Sequence, residues 1–293
     1  MLKHSDPNQP KFLTTKEVAD LLRVKERKVY DLAAADEIPH RRITGKLLFP
    51  SDEIEAWLEG TPLPTQDTLP DVLVGSHDPL LDWAIHASGC GLAVLCNGSG
   101  DGLTRFQEAT AALAGLHLPE DGGWNVDTVQ KTGVQNAVLL AFATRKRGLL
   151  ISDDAAGEIR SVADLKGKRV ALRQPGAGAA LLFSRLLEDA GLTENDLVCA
   201  QSPAHSENDA AVAVAAGEAD AALGIEAMAK PFKLTFLPLA DERFDLLVNR
   251  RAYFTEPLQT LFEFARSTAF KDKAAALGGY DLSDHGTVRW LST

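Results

Sequence analysis

The sequence predicts a small winged helix-turn-helix module joined to a larger α/β body. Three observations carry this. A stretch rich in proline and threonine, residues 60–70, divides the 293 residues unevenly and has neither helical nor strand period. The segment before it reads as helix, turn, helix, hairpin, helix. The segment after it alternates short apolar strands with helices that open on Gly/Ser-rich loops, the pattern of parallel α/β sheets. The expected domains are residues 11–59, a linker at 60–70, and residues 71–293.

Composition supports two folded parts with different charge. With 45% hydrophobic and 24% charged residues the chain can bury real cores, which excludes wholesale disorder. A net charge of −11 excludes a protein that is basic throughout. Residues 11–50 nevertheless carry nine Lys/Arg against six Asp/Glu. A basic module on an acidic body points to nucleic acid as a partner of the module alone. Cys90, Cys96 and Cys199 form no CxxC and no metal-ligand spacing, so they read as reduced thiols. The opening MLKHSDPNQPKF lacks the apolar core of a signal peptide, and the uncharged run from Trp83 to Gly100 is broken by Ser, Asn, His and glycine. The expectation is a cytoplasmic chain with no membrane partner, no metal and no cofactor.

In the first module Thr14 and Glu17 make a capping box that opens a short helix, with Val18, Ala19, Leu21 and Leu22 inward. A break at Arg23–Val24 leads to a second helix, Lys25 to about Ala35, with Val29, Leu32 and Ala33 inward. Pro39 ends it, and HRRITGKLLF reads as a hairpin turning at Thr44-Gly45. A third helix begins at Pro50-Ser51 and turns Ile54, Trp57 and Leu58 inward. Lys25, Arg27, Lys28 and Tyr30 start the second helix, where a recognition helix meets base edges. Arg41, Arg42 and Lys46 on the hairpin are placed to reach phosphates or the minor groove.

The run KFLTTKEVADLLRVKERKVYDLAAADEIPHRRITGKLLFPSDEIEAWL resembles the excisionase-type, MerR-like DNA-binding domain along its whole length. TTKEVADLL, VYDLA, the IPHRRI turn and the closing EAWL carry the likeness. It implies a module that binds double-stranded DNA as a pair, hence a homodimer or higher assembly.

In the body, the expected strands are Val72–Val74, Leu92–Cys96, Gly115–Leu118, Ala137–Thr144, Arg169–Leu172, Leu197–Ala200, Ala221–Leu223 and Phe244–Val248. The expected helices are Leu80–Ser88, Leu103–Leu113, Ala179–Ala190, Ser206–Ala216 and Glu256–Ser267. Three loops recur at strand ends: GSHDP with Ser76 and His77, NGSGDG with Ser99 and Gly100, and RQPGAGAA with Arg173, Gly176 and Gly178. Glycine lets a backbone approach a ligand, and a helix N-terminus offers N–H groups to an anion. His205, ahead of a helix, and Glu226 are further candidate ligand contacts.

GSHDPLLDW, GLAVLCNGSGDGL, AGLHLP, ATRKRGLLIS, RQPGAGAALLFSRLLEDAGL, AVAVAAGEADAALGIEAMAK and LTFLPLADERFDLLV together resemble a periplasmic-binding-protein-like domain. The family is that of bacterial regulators related to molybdate-binding proteins, and the likeness spans roughly residues 72–250 in order. It implies a type II fold of two α/β lobes around a ligand cleft, with crossovers near Ala141–Arg145 and Asp241–Asp245. It also implies an anion such as molybdate or tungstate. Where the family reads Gly-Ser-Gly-Thr-Arg, this chain has Gly176 to Ala180, with methyl groups at 177, 179 and 180. A larger organic acid or sulfonate suits those methyls better.

No catalytic constellation emerges. Ser76, His77 and Asp78 are consecutive, so their side chains point apart and form no triad. GSGDG lacks the length and Lys-Ser/Thr ending of a P-loop, and no HExxH is present. The reading is a ligand-responsive one-component regulator that is not an enzyme. The alternatives are a DNA-architectural or recombination accessory factor, and a cytosolic enzyme or carrier on the two-lobed fold.

Overall fold

The structure, a computed structural model, describes residues 12–35, 37–43, 46–58, 69–200 and 202–292. The chain divides into two compact units, Met1–Thr68 and Leu69–Thr293. The expected linker up to residue 68 and the Thr44-Gly45 turn lie outside the described residues.

The first unit runs β1 (Phe12–Thr14), α1 (Thr15–Leu22), α2 (Glu26–Ala34), β2 (Arg41–Ile43), β3 (Lys46–Pro50) and α3 (Ser51–Leu58). The Thr14–Glu17 capping box forms, and Arg23 ends α1 in the left-handed conformation, its φ of 55° turning the chain into α2. The sheet is antiparallel, β1-β3-β2; β1 was not expected. Val18, Ala19, Val29, Ala33, Ile38, Phe49 and Ile54 form the core. Leu21 and Leu58, expected inside, are 50% and 48% exposed. Each sits at the edge of its helix's apolar stripe, where a domain this small has no further layer to cover it.

The body continues with β4 (Val72–Gly75), α4 (Pro79–Ser88), β5 (Ala93–Cys96), α5 (Ser99–Gln107), β6 (Leu113–Leu116), β7 (Pro119–Glu120), β8 (Gly123–Trp124), α6 (Val126–Lys131) and β9 (Ala137–Ile151). Next come β10 (Arg169–Ala171), α7 (Gly178–Asp189), β11 (Val198–Cys199), α8 (Glu207–Ala215), β12 (Ala221–Ile225), α9 (Ala229–Phe232) and β13 (Thr235–Asn249). It closes with α10 (Glu256–Phe264), α11 (Thr268–Leu277), β14 (Tyr280–Asp281) and β15 (Val288–Leu291).

One sheet runs β11-β10-β12-β9-β13-β6-β4-β5, with β14 and β15 also paired to β9. β4, β5 and β6 are mutually parallel, as are β10, β11 and β12. The long strands β9 and β13 run antiparallel from Ala137↔Asn249 to Ile151↔Thr235, so each belongs to both lobes. The implied crossovers meet there, Ala141 opposite Asp245 and Arg145 opposite Glu242. The sheet is therefore mixed where the sequence pattern suggested parallel pairing alone. A strand that leaves a lobe and one that returns beside it must run in opposite directions.

Alternation along the crossing strands builds cores on both faces. Val138, Leu140, Leu246 and Val248 pack with α4, α10 and α11, while Leu139 and Leu247 pack with Leu103, Phe106 and Leu116. In the other lobe Leu149 and Ile151 face α7, and Leu150 faces Ile225 and Met228. Burial on both sides explains the apolar runs at the two ends of β9 and at the end of β13.

The helix expected at Leu103–Leu113 begins earlier, at Ser99, and stops at Gln107. Ala109 takes a φ of 56°, and the apolar residues beyond it supply β6. A short apolar run has no period that separates a helix end from a buried strand. β9 and β13 also extend well beyond the expected Ala137–Thr144 and Phe244–Val248, because charged residues interrupt their apolar runs midway.

Candidate DNA-binding face and interlobe cleft

In the first unit Lys25, which caps α2, and Arg27, Lys28 and Tyr30 on its first turns are all exposed, with Tyr30 54% exposed. Arg42, Lys46 and Tyr30 line one concavity of about 460 Å³ together with Thr14, Thr15 and Lys16. Arg41 differs from its neighbours: its Nη2 donates to Glu53 Oε1 at 2.7 Å, and Nη1 donates to the His40 carbonyl. Its charge is thus matched within the unit. Lys16, which the sequence pattern does not single out, lines the same concavity.

In the body, glycines set how closely the strand-end loops approach one another. A Cβ on Gly102 would lie 2.3 Å from the Gly75 Cα, and one on Gly75 would lie 2.3 Å from the Gly115 carbonyl oxygen. Only hydrogen at these positions lets α5 lie directly on β4 and β6. As a result the buried Ser76 and Ser99 hydroxyls meet at 2.8 Å, and the His117 N–H donates to Ser99 Oγ at 3.1 Å. Between the two lobes the Gly100 N–H donates to the Gly176 carbonyl, and Gln174 Nε2 donates to the Asn97 carbonyl at 2.9 Å. Gly178 opens α7 against His117: a Cβ there would lie 2.3 Å from the His117 carbonyl oxygen. Ser76, Ser99, Gly100, Gly176 and Gly178 are therefore brought together, and their polar groups bond largely to the chain itself. His77 stands beside them, with a buried Nδ1 that has no hydrogen-bond partner.

The remaining candidates lie apart. Arg173 is buried; its guanidinium donates to the Ala204 and His205 carbonyls and to Glu207 Oε1 at 2.8 Å. His205 is exposed and contributes its backbone, accepting from Arg173 and donating to Asp209. Glu226 lines a separate groove of about 320 Å³ with Lys146, Asp241 and Asp281.

A buried charge network, unforeseen from the sequence, joins the two lobes. Arg145 and Arg147 of β9 both donate to Glu242 of β13. Arg145 also reaches Asp78 Oδ2 at 2.8 Å, and Arg147 reaches Glu207 at 2.9 Å. Tyr280 donates its hydroxyl to Asp78, and the Arg145 guanidinium lies 4.3 Å from the Phe244 ring centroid. Asp78 and His117 come from one lobe and Arg173 and Glu207 from the other, with the crossing strands between them. Three guanidiniums thus face three carboxylates, all at or below 9% exposure.

Burial opposes ionisation of Glu207, yet Arg147 and Arg173 overcome it and hold its carboxyl down at about 2. Glu242 is likewise held well below the carboxylate range, against its burial, by Arg145 and Arg147. Burial lowers the pKa of His117 and keeps the ring neutral, so its Nδ1–H donates to Glu242 Oε2 at 2.9 Å. Removing one member would leave a buried charge unmatched, at a cost of about 3–5 kcal/mol. One sequence signal was available: RKR and DER interrupt two otherwise apolar strands, and alternation puts Arg145 and Arg147 on one face.

Among the described residues no cluster of His, Cys, Asp or Glu is arranged to hold a metal ion, and no helix is long and apolar enough to cross a membrane. Burial, reinforced by Asp82 and Asp78, pushes the Cys96 thiol up to about 12, which suppresses its thiolate.

The uncharacterized protein YvgK of Bacillus subtilis (strain 168) is 26% identical over 308 residues, covering 96% of this chain and 98% of its own. An uncharacterized protein from the 5′ region of a ferredoxin 2Fe-2S gene of Clostridium pasteurianum is 37% identical over 76 residues, 26% of this chain and 67% of its own. Among solved structures, a hydrogen-peroxide-bound cysteine-to-serine mutant of Corynebacterium glutamicum OxyR superposes with a TM-score of 0.51 at 13% identity. It covers 90% of this chain and 89% of its own, and at that identity it speaks to the fold alone. Residues 12–62 match the helix-turn-helix domain model and residues 83–266 match the PBP superfamily domain model. The chain therefore belongs to the PBP superfamily domain family and carries a helix-turn-helix domain ahead of that domain.

Proposed function

We propose that this chain is a ligand-responsive, one-component transcription regulator and not an enzyme. The observation that carries the reading is the presence, in one chain, of a helix-turn-helix domain and a PBP superfamily domain. The first binds double-stranded DNA through α2 and the hairpin, as a homodimer or higher assembly whose paired modules read two half-sites. The second binds a small anion between its lobes. Ligand binding favours one arrangement of the lobes and shifts DNA affinity through a coupling of roughly 1–3 kcal/mol.

The cleft chemistry supports a particular kind of anion. Arg145, Arg147 and Arg173 are each matched by Asp78, Glu207 or Glu242, so none offers a spare charge. A ligand would meet dipoles instead: the Ser76 and Ser99 hydroxyls and the N–H groups that open α5 and α7. Molybdate or tungstate, a dianion, needs more than that. An organic acid or sulfonate with one charge and an apolar part fits the dipoles and the buried methyls of Ala177 and Ala179.

Gel-shift titration on the DNA upstream of the gene, with and without candidate anions from a thermal-shift screen, tests the reading. The expected result is binding that a stabilising organic anion changes severalfold, and that Arg27→Ala weakens by about 1–3 kcal/mol. Light scattering should report a dimer or larger. DNA binding indifferent to every ligand would favour an architectural factor, and turnover without DNA would favour an enzyme.

A further inference from the structure

The body carries a second concavity of about 480 Å³ on the face where the C-terminal segment packs against β9, away from the cleft residues. Its lining includes Val138 and Leu140 of β9, on the face opposite Leu139. Phe262 of α10 and Phe254 in the turn before it add aromatic surface, with Tyr253 between them at 5.2 Å from each ring. Val288 and Leu291 of β15 complete the apolar lining. Phe254 is 78% exposed, Val288 61% and Leu291 53%. Large hydrophobics gathered at that exposure on one concave surface mark a binding site more often than an ordinary surface.

The charge of this groove is one-sided. Arg250 and Arg266 line it, and among the described residues no carboxylate does. Neither guanidinium makes an ion pair or side-chain hydrogen bond within the described residues, although eleven other Lys and Arg side chains among them do form ion pairs. His285, also in the lining, is held below its ordinary pKa by burial, with Arg266 adding to the effect; its Nδ1–H donates to the Phe142 carbonyl and the ring adds no positive charge at neutral pH. On a body with net negative charge, two unmatched cations over an apolar floor are complementary to one chemistry: an apolar tail ending in an anion.

We infer that this groove is a second ligand site, separate from the interlobe cleft, for a small monocarboxylate with an aromatic or acyl tail. The tail lies on Val138, Leu140 and Phe262 under Phe254, and the carboxylate is held by Arg250 and Arg266, which suit planar two-oxygen groups. The volume falls within the range of small-molecule sites. A second copy of the chain is a poorer occupant, because a symmetric contact would bring the same arginines against each other. Since β15 pairs with β9, which also runs through the charge network, an occupant here would touch the strand that joins the lobes.

Calorimetry on the full chain tests the site, with 4-phenylbutyrate as the probe and 4-phenylbutan-1-ol as its uncharged analogue. The expected result is one saturable site per chain for the acid, with the alcohol about tenfold weaker or more. Arg250→Gln combined with Arg266→Gln should abolish that difference, and Phe254→Ala should weaken both probes, with unchanged thermal unfolding in each variant. No saturable binding overturns the inference. So does acid binding that survives the double arginine variant but is lost in Ser76→Ala with Ser99→Ala, which would assign the acid to the cleft. A dimer that Phe254→Ala converts to monomer, with no probe bound to either form, would assign the face to a second copy and equally overturn it.

Discussion

Arg41 and Arg42 are adjacent in sequence and alike in type, yet strand alternation gives them different surroundings. Arg41 is spent on Glu53, whereas Arg42 lines the concavity with Tyr30 and Lys46. Arg42→Ala and Lys46→Ala should each lower the salt dependence of DNA binding by about one unit, and Arg41→Ala should lower it less. Fluorescence anisotropy across a salt series measures this; equal slopes for the two arginine variants would count against it. In the body, burial pushes the Asp245 carboxyl up to about 6 from its ordinary 3.8, although Asn125 donates to it at 2.7 Å. A folded-state pKa above the unfolded value means the group's contribution is full below about pH 3.8 and is lost as pH rises through 6. Asp245→Asn keeps an acceptor for Asn125 and removes that loss. It should raise stability at pH 8 by on the order of 1–3 kcal/mol and change little at pH 4, as read by chemical denaturation.

Single glycines decide how elements meet. Gly102 lets α5 rest on β4 within one lobe, and Gly178 lets α7 close on His117 across the cleft. Both would clash with backbone if given a Cβ, but the consequences differ. Gly102→Ala has no hinge to relieve it and should cost about 1–3 kcal/mol of folding stability. Gly178→Ala can be relieved by separating the lobes, which breaks the Gly100–Gly176 and Gln174–Asn97 bonds. It should therefore leave a folded protein with a larger radius of gyration by small-angle scattering and weaker ligand binding. An unchanged radius with a lowered melting temperature would show that the lobes do not give at this contact.

At the scale of the molecule the buried network ties lobe closure to acid stability. Glu207 has a folded pKa of about 2 against an ordinary 4.5, so its contribution is present above about pH 4.5 and is lost as pH falls through 2. Denaturation midpoints of the full chain should fall across that window. Glu207→Gln should start lower at pH 7, because Arg147 and Arg173 lose their partner, and should fall less steeply between pH 4.5 and 2. Parallel curves for the two proteins would place the acid sensitivity elsewhere.

The helix-turn-helix unit was largely legible before folding, because its signals are local. The capping box at Thr14, the break at Arg23–Val24 and the periodic apolar residues of α1 and α2 act over a few positions. The strand-helix alternation of the body is legible for the same reason. The partners of Arg145, Arg147 and Glu242 were not. Arg145 lies 97 residues from Glu242 and 67 from Asp78, and these contacts exist only once β9 and β13 cross both lobes. The C-terminal segment 268–291, which supplies α11, β14 and β15, carries no such local signal, because β14 and β15 become strands only by pairing with β9. Local chemistry writes helices, caps and turns into adjacent residues, whereas a buried charge is neutralised by whatever the topology brings beside it, and that depends on the whole chain.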